Sequence, residues 1–348
     1  MQPSQPSQPS QPSVATPQYR VRASLLSLAA LVATSSFACA EQVYFSEINY
    51  HPKDGKPEFI EILNQSASAI DFANWRLSDG VEYEFPDFDE GDPQRTFMCS
   101  FERILVSGVD EATLRAAYPT IPAGVKVFGS WTGALSNGGD NILLEDKNGV
   151  YVNSTDYRDS GRKWSVSADG AGHTLTLINP NGSGSDWRNW GASAEPHGTP
   201  GSGPVQGSDI LLSLSEVHFV AGEVDWVEVS SSSSAPVSAV GLSLSSSPDF
   251  VGAVSLSGNV PANGYASWDV SFPTDAGGEV TLYLIDSTSG IVLDAKRLTR
   301  DPAQDGFQLY PPQGEWYGGT GDTRNAANTP ARNTDIIINE IMADPPSD

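Results

Sequence analysis

Two glutamates raise the question of chemistry first. Glu47 lies in Ser46-Glu47-Ile48-Asn49-Tyr50 and Glu61 in Glu58-Phe59-Ile60-Glu61-Ile62, two apolar segments close in sequence. Two carboxylates flanking one bond are what a glycosidase uses, one as acid and the other as base or nucleophile. The pair returns as Glu216 in Ser215-Glu216-Val217-His218-Phe219 and Glu228 in Asp225-Trp226-Val227-Glu228-Val229. An acid repeated in a repeated segment reads instead as structural, satisfying buried backbone N–H groups or pairing with a base. Arg76 is the base expected beside the first pair, and Trp75 is expected in the core.

The other candidates are weaker. His51, His173, His197 and His218 lack the spacing of metal ligands, and no cysteine cluster accompanies them. A Ser-His-Asp triad would need a nucleophile, and no Gly-x-Ser-x-Gly elbow is present. Asp87-Phe88-Asp89-Glu90-Gly91-Asp92 is the densest acidic run. Loop carboxylates attract calcium, so Asp87, Asp89, Glu90 and Asp92 are the candidate ligands, although the EF-hand spacing is missing; no other cofactor is expected. Trp187 and Trp190 could form an aromatic platform for a glycan. Alternatively the chain folds back here and Trp190 covers an edge of the fold. Trp316 and Tyr317, near the matching end of the second unit, favour that structural reading.

The elements that must carry these residues are short strands. Apolar and polar residues alternate in runs bounded by Gly, Pro, Asn and Asp, as in half-buried strands such as Phe59-Ile60-Glu61-Ile62-Leu63. Lys147-Asn148-Gly149 reads as a hairpin turn, and only residues 110–118 suggest a helix. A unit that recurs at more than a hundred residues indicates an array of domains. The expected layout is a signal region at 1–40, a first domain at 41–203, a Gly/Pro linker at 204–208 and a divergent second domain at 209–333. Residues 334–348, containing Asn339-Glu340-Ile341-Met342-Ala343, read as the start of a third repeat. Many short strands without helices indicate an all-β fold of tandem immunoglobulin-like sandwiches.

The formal net charge is −24, and −26 without residues 1–40, which contain Arg20 and Arg22 and no acids. This excludes nucleic acid as a partner, because phosphate binding needs a basic surface. Arg20 and Arg22, an apolar stretch over residues 23–33 and Ala38-Cys39-Ala40 read as an export signal cleaved after Ala40, giving a secreted or cell-surface protein. Lipidation of Cys39 is the alternative, but Ser36-Phe37-Ala38 lacks the usual upstream aliphatic residue. No other apolar run is long enough to span a membrane. Cleavage leaves Cys99 alone; its apolar neighbours in Phe97-Met98-Cys99-Ser100-Phe101 predict burial.

The order of Glu47-Ile48-Asn49-Tyr50, Glu58-Phe59-Ile60-Glu61-Ile62-Leu63-Asn64, Asn74-Trp75-Arg76-Leu77-Ser78-Asp79-Gly80, Phe85-Pro86, Leu135-Ser136-Asn137-Gly138-Gly139-Asp140, Trp164 and Gly198-Thr199-Pro200-Gly201 resembles a lamin-tail domain of secreted bacterial proteins. The second unit resembles that family at its start and end, and Asn328-Thr329-Pro330 echoes Gly198-Thr199-Pro200. The resemblance implies a non-catalytic immunoglobulin-like module that binds an extracellular protein or polysaccharide, or scaffolds one. Two other roles are open: the accessory arm of a larger extracellular enzyme whose catalytic domain lies past residue 348, and a passive spacer.

Overall fold

The computed structural model describes residues 42–87, 97–159, 164–203, 211–311 and 314–330. The expected signal region, the linker at 204–208 and the third phrase at 334–348 lie outside these residues. The rest forms two immunoglobulin-like β-sandwiches.

The first is built from β1 (Val43–Asn49), β2 (Phe59–Asn64), β3 (Ile70–Asp71), β4 (Arg76–Asp79), β5 (Val81–Glu84), β6 (Phe97–Met98), β7 (Arg103–Ser107), α1 (Glu111–Ala117), β8 (Lys126–Phe128), β9 (Thr132–Gly133), β10 (Gly139–Glu145), β11 (Tyr151–Arg158), β12 (Leu175–Leu177) and β13 (Trp190–Ala192). One sheet has the order β13-β12-β1-β2-β7-β8 and faces a second, β11-β10-β4-β5-β9. Alternation fills the space between them: Ile142 and Leu144 of β10 point inward and meet Phe45, Ile48, Ile60, Ile62, Trp75 and Leu77.

In β1 the alternation slips by one residue. Val43, Phe45, Ile48 and Tyr50 are the buried apolar positions, so two residues, Ser46 and Glu47, separate one inward pair. The pairing shows why: Phe45 opposes Ile62 and Glu47 opposes Glu61, which leaves Ser46 as the extra residue of a β-bulge. The bulge turns both Ser46 and Glu47 to the outer face.

That outer face is covered, and β2 is therefore buried on both sides rather than half-buried as its pattern predicts. Phe59, Leu105, Leu114, Tyr118, Ile121 and Val127 form a small apolar layer beneath α1. The helix starts because Asp110 caps it, its carboxylate accepting from Thr113 N at 3.0 Å. Arg115 pairs with Glu111 at 2.9 Å one turn back, and its guanidinium also donates to the carbonyls of Pro122 and Val125.

The second sandwich comprises β14 (Leu212–Val220), β15 (Glu223–Ser231), β16 (Val237–Ser238), β17 (Leu242–Ser245), β18 (Val254–Ser255), β19 (Asn259–Val260), β20 (Tyr265–Pro273), β21 (Glu279–Asp286), β22 (Ile291–Thr299), β23 (Gly306–Tyr310) and β24 (Glu315–Gly319). Its sheets have the orders β20-β15-β14-β23-β24 and β18-β17-β21-β22. Leu212, Leu214, Val217 and Phe219 repeat the slipped alternation of β1, and Leu214 opposes Val229 while Glu216 opposes Glu228. β15 includes Ser230 and Ser231, and the turn starts after them.

Candidate functional site

The bulge places the first two glutamates side by side under the outer face, 2% and 1% exposed. Glu47 accepts from Thr174 Oγ1 at 2.5 Å and from the backbone N–H of Thr199 at 3.0 Å. Glu61 accepts from Ser46 Oγ at 2.6 Å and from the N–H of Gly201 at 2.7 Å, and forms an ion pair with Arg103, whose Nε lies 3.0 Å away. Together they bind the returning segment 198–203 onto the opening hairpin. Gly198 adopts φ +72°, and a Cβ there would stand 1.8 Å from Glu47 Oε1, so the approach requires glycine. Arg76, the base expected from sequence, instead pairs with Glu84 on the surface at 3.0 Å. It lies on β4 in the opposite sheet, whereas Arg103 sits on β7, next to β2.

Burial, and then the charge of Glu61, pushes Glu47 up to about 8 against the pull of its hydrogen-bond donors. Burial also raises Glu61, opposed by Ser46, Arg103 and Gly201. Such a pair could share a proton, as catalytic dyads do. These oxygens, however, are occupied by the protein's own N–H and O–H groups beneath a closed surface.

The second sandwich repeats the arrangement. Ser215 Oγ donates to Glu228 at 2.5 Å, Gln308 Nε2 to Glu216 at 2.7 Å, Thr323 N to Glu216 at 3.0 Å and Asn325 N to Glu228 at 2.6 Å. Thr323 and Asn325 thus take the places of Thr199 and Gly201. The threonine that meets the glutamate is Thr323, ahead of the Asn328-Thr329-Pro330 echo. Burial, together with the charge of Glu216, pushes Glu228 up to about 7. No arginine binds Glu228 among the contacts described.

Residues 38–192 match the Lamin Tail Domain family. The lamin-tail match spans Glu47, Glu61 and Arg103 and ends ahead of Thr199. No curated protein matches the chain. Among solved structures, the exo-chitosanase CsxA of Amycolatopsis orientalis is similar at 15% identity over 71% of this chain and 26% of its own, with a TM-score of 0.19. Its complex with PNP-beta-D-glucosamine gives 16%, 70%, 25% and 0.18. The chain spans about a quarter of the length of these structures, and scores this low give the likeness no weight.

A second polar cluster joins the first sandwich to its neighbour. Arg297 of β22 reaches Asp169 at 2.6 Å and Asp159 at 3.2 Å, and Asp169 also meets His51 Nδ1 at 2.6 Å. Although burial raises Asp169, His51 and Arg297 outweigh it and hold the carboxyl below its ordinary range. Ala171 packs with Tyr283, Ile285 and Val292 beside this cluster, and Lys53 Nζ lies 3.2 Å from the centroid of the Phe250 ring. His173 is 1% exposed; its Nδ1 lies 2.6 Å from the Ser193 carbonyl and its Nε2 accepts from the N–H of Val292 at 2.9 Å.

The remaining sequence candidates are dispersed. Trp75 is buried in the core of the first sandwich. Trp190 is buried against Trp164 and donates to the Gly184 carbonyl at 2.8 Å, while Trp187 is half-buried with Arg188 beside its ring. The two indoles therefore share no exposed platform. Asp87 is exposed and accepts from Asn74 at 3.2 Å; Asp89, Glu90 and Asp92 lie outside the described residues. Among the described residues, no group of three or more His, Cys, Asp or Glu converges to hold a metal ion, and no helix is long and apolar enough to cross a membrane. Cys99 is exposed, contrary to expectation. It follows β6 in a turn closed by Glu102 N on the Cys99 carbonyl at 3.1 Å; Met98 takes the inward place, and Phe97 and Phe101 are themselves exposed.

Sequence reasoning missed Thr199, Gly201, Arg103 and His173 as partners. The doubled gap in Val43-x-Phe45-x-x-Ile48-x-Tyr50 was the available signal for the bulge. Nothing local signals the partners.

Proposed function

We propose that this chain is an exported, non-catalytic module of two lamin-tail-type sandwiches, the second a divergent copy, that binds an extracellular protein or polysaccharide. One observation carries the reading: the acids best suited to catalysis, Glu47, Glu61, Glu216 and Glu228, are consumed in fastening each sandwich's returning segment. Binding then falls to loops and edge strands displayed on a rigid scaffold. Strand addition at a sheet-edge strand such as β24 suits this architecture. A spacer role is the second reading, favoured by the ion pairs of Arg297 that fix one sandwich to the other.

The test is retention of the purified chain on insoluble cell-wall polysaccharides and envelope proteins, beside a panel of chromogenic hydrolase substrates. Saturable retention without turnover is the expected result. Absence of retention on every polymer and protein favours the spacer. Turnover that disappears in Glu47→Gln overturns the non-catalytic reading.

A further inference from the structure

The junction between the sandwiches contains a group whose two protonation states make opposite demands. We propose that His173 is a proton-operated latch: neutral, it accepts the Val292 N–H and fastens the second sandwich to the first; charged, it repels that N–H and releases the contact. This goes beyond the binding role and does not depend on it.

The hydrogen bonds fix the tautomer. A carbonyl can only accept, so at 2.6 Å from Ser193 O the Nδ1 atom carries the proton. The Val292 N–H can only donate, so at 2.9 Å the Nε2 atom presents its lone pair. A second proton has only Nε2 to occupy, where it would oppose the Val292 N–H inside a buried contact. Loss of this bond leaves a donor unpaired inside the apolar patch of Ala171, Tyr283, Ile285 and Val292.

The charged groups around the ring act in the same direction. His197 and Lys53 face His173 from its own sandwich, and both oppose a charge on it. Across the junction, Arg297 is neutralised by Asp169, Asp159 and Glu279, and Asp169 also binds His51. Asp249 stands near Lys53. Burial, resisted only by the Ser193 carbonyl, holds the His173 imidazole below its ordinary 6.5. A depressed histidine contributes stability above its unperturbed value and loses it as the pH falls. The docking constant therefore drops by up to about tenfold for each pH unit below about 6.5. Asp169, held below the usual carboxylate range, gives way only in stronger acid.

The experiment uses the whole chain. Ring ¹⁵N shifts of His173 should report a neutral imidazole protonated at Nδ1 at pH 7.5. Exchange protection of the Val292 amide, corrected for the intrinsic pH dependence of exchange, should fall as the pH drops from 7 to 5, by up to about tenfold for each pH unit below about 6.5. The fall should coincide with ring protonation and persist in His197→Asn. His173→Gln offers an acceptor that cannot charge and should flatten the response. Constant Val292 protection across that range overturns the latch, as does a charged ring beside a protected amide or an unchanged pH response in His173→Gln. If His173→Gln never docks, coincidence of ring protonation and amide deprotection in the unaltered chain decides, and its failure overturns the proposal.

Discussion

The two opening hairpins share a bulge, a serine and a glutamate pair, yet they are roofed differently. In the first, Phe59 and Asn49 lie under α1: Tyr118 packs edge-on against Phe59 at 5.3 Å, and its hydroxyl accepts from Asn49 at 2.9 Å. In the second, Trp226 and His218 take those places, stacked on one another at 5.4 Å with the Arg324 guanidinium 5.1 Å from the indole. Among the described residues no helix covers this hairpin, and the returning segment supplies the roof itself. Arg324 is tied down by Asp269 at 2.5 Å and Ser267 at 2.8 Å on β20. The comparison separates two requirements. Burying paired carboxylates requires N–H donors at a fixed register, which both sandwiches obtain from a returning Thr-x-Gly or Thr-x-Asn. Covering them requires apolar area, which can come from a helix layer or from one stacked aromatic.

The largest test of this comparison is removal of the second acid of each pair. Glu61→Ala strands Arg103, Ser46 and the Gly201 N–H, and should cost about 3–5 kcal/mol by denaturant midpoint, in the range for a broken buried ion pair. Glu228→Ala strands only neutral donors and should cost about 1–3 kcal/mol. Equal losses would show that Arg103 contributes little to the difference. Next, Leu114→Ala should cost about 2–3 kcal/mol, confined to the first sandwich when hydrogen exchange is read separately in each. A loss shared by both would mean that the helix layer supports the whole molecule.

Read per pH unit, the smallest effect is the pH slope. Glu47 at about 8 and Glu228 at about 7 hold protons in the fold that the unfolded chain, near 4.5, has released. Stability therefore falls as the pH rises from about 4.5, by up to about 1.4 kcal/mol per pH unit and group. Glu47→Gln should gain on the unaltered chain up to about pH 8, whereas the gain of Glu228→Gln should level off about one unit lower. Flat differences would show that hydrogen bonding to these carboxylates outweighs their burial.

Much of the fold was legible because its signals are local. The alternation of β10 and β15, the turn at Lys147-Asn148-Gly149 and the Asp110 cap of α1 each lie within a few residues. The fastening was not legible, because Glu47 meets Thr199 across 152 residues and Glu216 meets Thr323 across 107. No sequence window joins such partners. Cys99 failed for a related reason. Apolar neighbours predict burial only when the strand continues, and here the chain turns after Met98.

The fastening also determines how the first sandwich meets tension. Gly203 lies against Arg103, Arg103 pairs in register with Leu63, and Leu63 opposes Tyr44 near the start of β1. The chain thus arrives and departs at one end of the sheet, and the folded body adds little reach between its termini. A pull on those termini loads the Glu47–Thr199 and Glu61–Gly201 bonds before the strand ladders of the core. The first sandwich is a coil of rope held by a knot: short while the two carboxylates hold, and long once they yield.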